Sequence, residues 1–306
     1  GEKIAAVGKN LQSSSNARVI DCTDKYIFPG VIDAHTHMGI AIKDGFSADD
    51  FETGSRAALH GGVTTIIDFT DLGVNQTLRE SVGERLSLAQ NCLTDYSFHV
   101  CLNRTDSALL SQISDIVKSG INSFKVFMTY RKAGLMLDNT QVEIVAKAVA
   151  KAGGLLLVHA EDDEIIQAAT DALDASSTDP FNHGKSRPAE AEAKAIATLG
   201  HISEQTGCKI YIVHLSSQAG LNAAHDYDNL TIETCPQYLF FTEEHYRRTA
   251  GSMYVASPPL HCEEDNNALM NAIGNRISVL ATDHCPFHLK DKPANLPFGR
   301  IPHGMG

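Results

Sequence analysis

Runs of apolar residues alternate with amphipathic segments at fairly even spacing along the chain. Eight of the apolar runs are rich in Val, Ile and Phe and are almost continuously hydrophobic, which is typical of parallel strands buried on both faces. The pattern therefore predicts eight β-strands, at residues 26–37, 63–69, 96–102, 123–129, 155–160, 209–215, 230–234 and 277–283.

Segments with helical periodicity lie between these strands. The clearest are residues 48–59, 75–91, 107–118, 140–151, 187–206 and 263–275. Strands that alternate with helices indicate a parallel sheet. A closed (β/α)8 TIM barrel is favoured over an open sheet, because the unit count is eight and no GxGxxG motif follows the first strand.

The first 27 residues have a different pattern. Short strand-like pieces at residues 4–7 and 18–21 flank a polar turn that contains three consecutive serines. We therefore expect two parts: a small β appendage at residues 1–27 and the barrel at residues 28–306.

Composition narrows the classes of function. A barrel needs about 250 residues, so a chain of this length holds one barrel with small additions. The chain has 25 Lys and Arg against 37 Asp and Glu, a net charge of −12, which argues against a nucleic-acid-binding surface. No apolar run reaches the roughly 18 residues of a transmembrane helix. Seven cysteines without a CxxC motif fit a reducing cytoplasm better than a disulfide framework.

Polar residues recur at the carboxyl ends of the predicted strands, where barrel enzymes carry their active sites. Strand 1 ends in an HxH pair whose side chains share one face. Strand 4 holds a lysine in an apolar setting, and strands 5, 6 and 8 end in a histidine or an aspartate. The residues concerned are His35, His37, Lys125, His159, His214 and Asp283. Each alone has an ordinary structural explanation, but together they predict a metal site.

Imidazoles and a carboxylate suit zinc or a similar divalent ion. Four histidines and one aspartate suffice for one ion and are few for two. If Lys125 were carbamylated by CO2, it would become an anionic ligand able to bridge two metals, although spacing alone leaves that open. Two metals can hold a hydroxide and polarise a carbonyl, with Asp283 moving a proton to a leaving nitrogen. This chemistry is hydrolysis of an amide.

Several segments resemble the cyclic amidohydrolases. The opening motif of that superfamily is similar to residues 29–37 (PGVIDAHTH), its carboxylated-lysine strand to 123–128 (SFKVFM), and its next ligand strands to 157–161 (LVHAE) and 212–216 (IVHLS). Residues 47–54 (SADDFETG), 186–188 (SRP), 233–239 (ETCPQYL) and 282–287 (TDHCPF) resemble the dihydropyrimidinase and hydantoinase branch. The resemblance runs in order through nearly the whole chain.

The resemblance implies a binuclear zinc site. His35 and His37, with Asp283, would hold one ion, and His159 and His214 would hold the other. Carboxylated Lys125 would bridge them, and Asp283 would also act as general base and acid toward a metal-bridging hydroxide. The remaining implied contacts with the substrate are Tyr130, which would donate to the carbonyl oxygen, the main chain of Ser257, and His303, which replaces a family asparagine.

The same resemblance guides the choice of substrate. Dihydroorotases carry an arginine two residues after the second histidine, and Gly39 occupies that position here. A neutral cyclic ureide is therefore expected: dihydrouracil, dihydrothymine or a 5-substituted hydantoin, opened to an N-carbamoyl amino acid. Allantoinase or dihydroorotase activity is the alternative. We expect the loop at residues 38–46, through Ile40, Ala41, Ile42 and Phe46, to shape the pocket for an apolar substituent.

A non-enzymatic role is the other alternative, because dihydropyrimidinase-related scaffold proteins share this fold but have lost metal ligands. All six ligand positions are kept here. In the family, a small β-sandwich is built from both termini, and full-length proteins form homotetramers. By that comparison, residues 1–27 are a partial sandwich segment and the barrel is truncated after strand 8.

Overall fold

The computed structural model of the chain describes residues 3–42 and 45–306, which divide into two compact units, Gly1–Gly30 and Val31–Gly306. In the first unit, the described residues form no helix or strand, so the strands predicted at residues 4–7 and 18–21 are not formed. A strand is stable only when neighbouring strands pair with its backbone groups, and residues 3–30 supply no paired strand of their own.

The second unit contains an eight-stranded parallel sheet in which each strand pairs with the next along the chain. This arrangement confirms the predicted (β/α)8 barrel. Its strands are β1 Val31–Thr36, β2 Val63–Phe69, β3 Asp95–Cys101, β4 Ser123–Phe127, β5 Leu155–His159, β6 Lys209–Ile212, β7 Leu230–Thr234 and β8 Val279–Leu280. A two-stranded antiparallel hairpin, Ala41–Ile42 with Gly45–Phe46, follows β1.

The barrel closes just beyond β8, where the chain runs beside β1. The backbone N–H of Asp283 donates to the carbonyl of His35 at 2.9 Å, and that of His37 donates to His284 at 2.9 Å. The closing contact therefore places Asp283 next to the HxH pair.

Eleven α-helices connect or flank the strands in the described part of the chain. Asp50, Thr77 and Asp138 each begin a helix with a capping box, which satisfies backbone N–H groups that lack a helical partner. The helices are α1 Phe51–His60, α2 Leu78–Leu88, α3 Ser107–Leu110, α4 Ile113–Lys118, α5 Asn139–Ala152, α6 Asp163–Asp171, α7 Phe181–Ser186, α8 Ala189–Thr206, α9 Gln218–Ala223, α10 Gln237–Phe240 and α11 Glu263–Ala272. None of these described helices is long and apolar enough to span a membrane.

The main core lies between the barrel wall and the helices outside it. Strand residues such as Phe124, Leu156 and Ile210 are fully buried against Val145 of α5 and Ile196 of α8. A smaller cluster of Phe69, Leu157, Tyr211 and Val213 is also buried. Because strands that are covered on both faces need apolar residues at nearly every position, the eight strands could be located from hydrophobic runs.

Five strands, β1, β4, β5, β6 and β8, are shorter than the sequence predicts. Among them, β6 and β8 each stop three residues before the predicted end, at Ile212 and Leu280. Two of the residues beyond those ends, His214 and Asp283, have left-handed backbone conformations with φ of 43° and 53°. A left-handed residue cannot continue an extended ladder, so the strand ends where these side chains turn toward the barrel mouth.

Candidate active site

One cavity at the carboxyl ends of the barrel strands brings together every site residue that the sequence predicts. It has a volume of about 510 Å³. The predicted residues that line it are His35, His37, Lys125, Tyr130, His159, His214, Ser257, Asp283 and His303. Their meeting at one end of the barrel follows from parallel strands, whose carboxyl ends all open on the same rim.

His35, His37 and Asp283 form a compact group of possible metal ligands. The Nε2 atoms of the two histidines are 3.1 Å apart, and each lies 3.1 Å from Oδ1 of Asp283. All three donor atoms lie within 4.8 Å of one another. Two imidazole nitrogens and a carboxylate oxygen that face one point suit a divalent ion such as zinc.

Glu233 orients His35 from behind. Its Oε1 atom lies 2.8 Å from Nδ1 of His35 and accepts the backbone N–H of His214 at 2.8 Å. Its Oε2 atom accepts the Tyr211 hydroxyl at 2.6 Å. A histidine that donates its Nδ1–H to a carboxylate leaves the Nε2 lone pair free for a metal. Sequence reasoning assigned Glu233 no role, although a buried acid at the end of an apolar strand is a signal for one.

The second pair of histidines stands apart from the first group. The rings of His159 and His214 are 4.5 Å apart, but in the described residues neither belongs to the compact group of His35, His37 and Asp283. Nε2 of His159 lies 2.6 Å from Oε2 of Glu161, which also pairs with Arg187. That contact leaves Nδ1 of His159 as the atom available to a ligand.

A buried nitrogen of His214 without a hydrogen-bond partner bears on whether these residues fit a metal. Among the buried polar side-chain atoms that the structure describes, Nδ1 of His214 is the one without a hydrogen-bond partner. A buried polar atom that lacks a partner costs free energy, and a metal ion would remove that cost. The histidines and carboxylates at this rim therefore fit a metal-dependent site.

Lys125 is buried between aromatic rings. It is 1% exposed, and its Nζ atom lies 5.1 Å from the ring centre of Phe69 and 5.0 Å from that of Phe127. Within the described chain it forms no ion pair with a carboxylate. Burial lowers the pKa of Lys125 to about 8, against an opposing attraction from Asp283. A larger fraction of Lys125 is therefore uncharged at neutral pH than in an ordinary lysine, and the uncharged amine is the form that reacts with CO2.

Metal ligands must be deprotonated, which His159, His214 and Asp283 satisfy, whereas His35 would have to release a proton when a metal binds. Burial sets the pKa values of His159 and His214 well below the usual range, with Lys125 or a neighbouring histidine adding to the effect. Burial opposes ionisation of Asp283, but His35 and His37 outweigh it and hold its pKa well below the usual value. The same carboxylate and Glu233 overcome burial at His35 and raise its pKa to about 9.

The predicted substrate contacts Tyr130, Ser257 and His303 line the same cavity. Ser257 Oγ is 2.8 Å from Nδ1 of His303, and the guanidinium of Arg187 lies 5.0 Å from the ring centre of Tyr130. Tyr130 has φ of 69°, so it shares the left-handed backbone of His214 and Asp283. Non-glycine residues held in this region are strained, and such strain concentrates at functional sites.

The loop after β1 contributes two of its predicted residues to the cavity. Ile40 and Ala41 line it, whereas Phe46 is 65% exposed and lies outside the lining. Lys43, Asp44 and the Ile42 side chain lie outside the described residues. Gly39 does not line the cavity, and Lys125 is the one Lys or Arg among its described lining residues.

Comparison with known proteins places this site in context. The model of the amidohydrolase family matches residues 26–250. A D-hydantoinase from Streptomyces coelicolor is 36% identical over 315 residues, covering 99% of this chain and 67% of that protein. The D-phenylhydantoinase of Escherichia coli K12 is 36% identical over 313 residues, with the same coverage. The crystal structure of dihydropyrimidinase from Brevibacillus agri NCHU1002 has a TM-score of 0.93 at 32% identity, covering 98% of this chain and 67% of that one.

Proposed function

Since the chain belongs to the amidohydrolase family and is a cyclic amidohydrolase related to hydantoinases and dihydropyrimidinases, we propose that it opens the ring of a neutral cyclic ureide. The substrate would be a dihydropyrimidine or a 5-substituted hydantoin, and the product an N-carbamoyl amino acid. One observation carries this proposal: all the predicted site residues line one cavity in which Lys125 is the single described Lys or Arg. Carboxylation of Lys125 would remove that cation, so the described lining would offer an anionic substrate no lysine or arginine as a partner.

We assign His35, His37 and Asp283 to one divalent ion and His159 and His214 to a second ion. Lys125, carboxylated on Nζ, would bridge the two. Nitrogen and oxygen donors of this kind favour zinc. When bound, the ions supply an activated water and a Lewis acid for the ring carbonyl.

Asp283 is the group that would move the proton. Its pKa lies well below the usual value, so the carboxylate is ionised and able to accept a proton. Oδ1 faces the Nε2 atoms of His35 and His37, so a proton taken from the attacking water would be held at the rim that these two histidines share. Delivery of that proton to the ring nitrogen completes cleavage of the amide.

Tyr130, Ser257 and His303 would bind the ureide. Burial raises the pKa of the Tyr130 phenol, so it stays protonated and can donate a hydrogen bond to the carbonyl oxygen as negative charge develops there. The main chain of Ser257 would hold the ring amide, and His303, fixed through Nδ1 by the Ser257 hydroxyl, would face the same ring.

The test is ring opening by protein reconstituted with zinc and bicarbonate. Dihydrouracil, hydantoin and dihydroorotate are compared at matched concentrations, with H37N as the control for contaminating activity. We expect hydrolysis of the first two substrates and not of dihydroorotate. Hydrolysis of dihydroorotate alone would overturn the proposal, as would bound zinc without any ring opening.

A further inference from the structure

Lys292 is a buried lysine that the proposed chemistry does not use. It is 2% exposed, and its Nζ atom donates to the carbonyl of Val255 at 2.8 Å and to that of Gly304 at 2.5 Å. In the described residues it has no carboxylate partner, an arrangement that is rare because burying an unpaired ammonium is costly. The two carbonyls are therefore the described partners that hold the buried Nζ atom in place.

The two carbonyls belong to the two segments that carry proposed substrate contacts. Val255 precedes Ser257 by two residues, and Gly304 directly follows His303. The segments also meet directly, because the N–H of Gly304 donates to the carbonyl of Val255 at 3.0 Å. At their tips, Ser257 Oγ and Nδ1 of His303 are 2.8 Å apart.

The lysine itself is anchored from a third direction. The hydroxyl of Ser252 donates to the backbone carbonyl of Lys292 at 2.7 Å, and the Nζ atom lies 5.4 Å from the ring centre of Phe287. Lys292 is thus held both by its backbone carbonyl and by the Nζ atom at the end of its side chain. Both the ammonium and the uncharged amine carry at least two N–H groups, so the two hydrogen bonds can form in either state.

We propose that Lys292 is a positioning residue that sets the spacing between Ser257 and His303, and so fixes the wall against which the ureide ring binds. This inference rests on the proposed function of those two residues. Ser257 and His303 would contact the ureide ring in the bound substrate as well as in the transition state. Loss of the lysine should therefore raise KM more than it lowers kcat.

The first experiment is K292M, which keeps the length of the side chain but cannot donate. K290M is the matched control, because Lys290 is exposed two residues away. We expect K292M to raise KM for hydantoin about tenfold with kcat changed less than threefold, and K290M to change neither. Two opposing effects act on the thermal midpoint of K292M: a buried ammonium is removed, and the carbonyl of Gly304 loses the donor Nζ. A fall in kcat that tracks a lower thermal midpoint would overturn the proposal and indicate a general structural role.

A second readout does not depend on activity. In metal-free protein labelled with 15N-histidine, the His303 ring signals are assigned with H303Q. K292M should shift these signals and K290M should not, and K292Q, which still donates, should shift them less and serves if K292M does not fold. Unchanged His303 signals would overturn the proposal. If the wild-type protein opened no ureide, the proposed function would fail while these spectra still decided the role of Lys292.

Discussion

Nδ1 of His35 lies 2.8 Å from Oε1 of Glu233, although 198 positions separate the two residues in the chain. The same carboxylate accepts the backbone N–H of His214 and the hydroxyl of Tyr211. One buried acid at the end of β7 thus supports a histidine proposed for each of the two ions. A substitution at Glu233 should therefore weaken metal binding while every proposed ligand stays in place.

We expect E233Q to bind zinc about 10–100-fold more weakly than the wild-type protein, because groups that orient metal-bound histidines contribute on that scale. Zinc affinity is measured by competition with a chromophoric chelator. E204Q, at an exposed position on α8, is the control and should match the wild type. An unchanged affinity in E233Q would show that His35 does not depend on this contact for its orientation.

Asp283 supports a second prediction. Replacement by asparagine keeps the size of the side chain but removes its ability to accept a proton. We expect D283N to lower kcat by about 100–10,000-fold, the range of general acid–base catalysis. Rates are measured with zinc content determined on the same samples, and D115N on the exposed side of α4 is the control. A rate within tenfold of the wild type at full zinc content would contradict the role.

The architecture was largely predictable because its physical causes act locally along the chain. Strands such as β5, whose first four residues are apolar, are buried on both faces and so appear as continuous apolar runs. The ligands could be found because they are polar residues within those runs or just after them. The strand ends were less predictable, because the left-handed backbone of His214 and Asp283 leaves no signal in the pattern of apolar residues.

Contacts between distant loops could not be predicted from one sequence. Lys292 looks like an ordinary surface lysine between Asp291 and Pro293, yet it is buried against carbonyls of two other segments. The short helices α6, α7, α9 and α10 also went unrecognised, because four to nine residues are too few to show a helical period. One sequence does not show which distant segments contact each other, and the fold does.

Lys125 supports a third prediction, on the dependence of metal binding on CO2. If its amine must be carboxylated to bridge two ions, apoprotein loaded in CO2-free buffer should bind less zinc than apoprotein loaded with bicarbonate. Native mass spectrometry should then show a mass increase equal to one CO2. K125Q should lose the bicarbonate effect, and K118Q, at an exposed position, should keep it. Equal zinc loading with and without CO2 would rule out the bridging carbamate.

The loop after β1 yields a prediction about substrate preference. Ile40 lines the cavity and Phe46 does not, so Ile40 is the residue expected to contact an apolar substituent. We expect I40A to lower kcat/KM for 5-phenylhydantoin about tenfold while changing that for unsubstituted hydantoin little. F46A is the matched control from the same loop and should leave the ratio unchanged. A shift of the ratio in F46A but not in I40A would place the substituent elsewhere.

Glu192 provides a prediction about stability and pH. It is buried in α8 and accepts hydrogen bonds from the backbone and side chain of both Ser216 and Ser217. Burial raises its pKa to about 7, although the hydrogen bonds from the two serines oppose the shift. The folded state therefore holds a proton that the unfolded state, with a pKa of about 4.3, has already lost across the window between these values.

In that window the unfolded state binds fewer protons, so the free energy of unfolding must fall as pH rises from about 4.5 to about 7. E192Q cannot titrate at this position, so its free energy of unfolding should lack the part of this fall that is due to Glu192. It also loses hydrogen bonds and should therefore be less stable than the wild type at pH 5. We expect the wild-type protein to lose about 2–3 kcal/mol more than E192Q between pH 5 and pH 7.5. Urea unfolding with a chelator present measures both proteins, so the other titrating groups cancel in the difference. E190Q, exposed on the same helix, should keep the wild-type slope, and equal slopes for E192Q and the wild type would mean that Glu192 is ionised throughout this range.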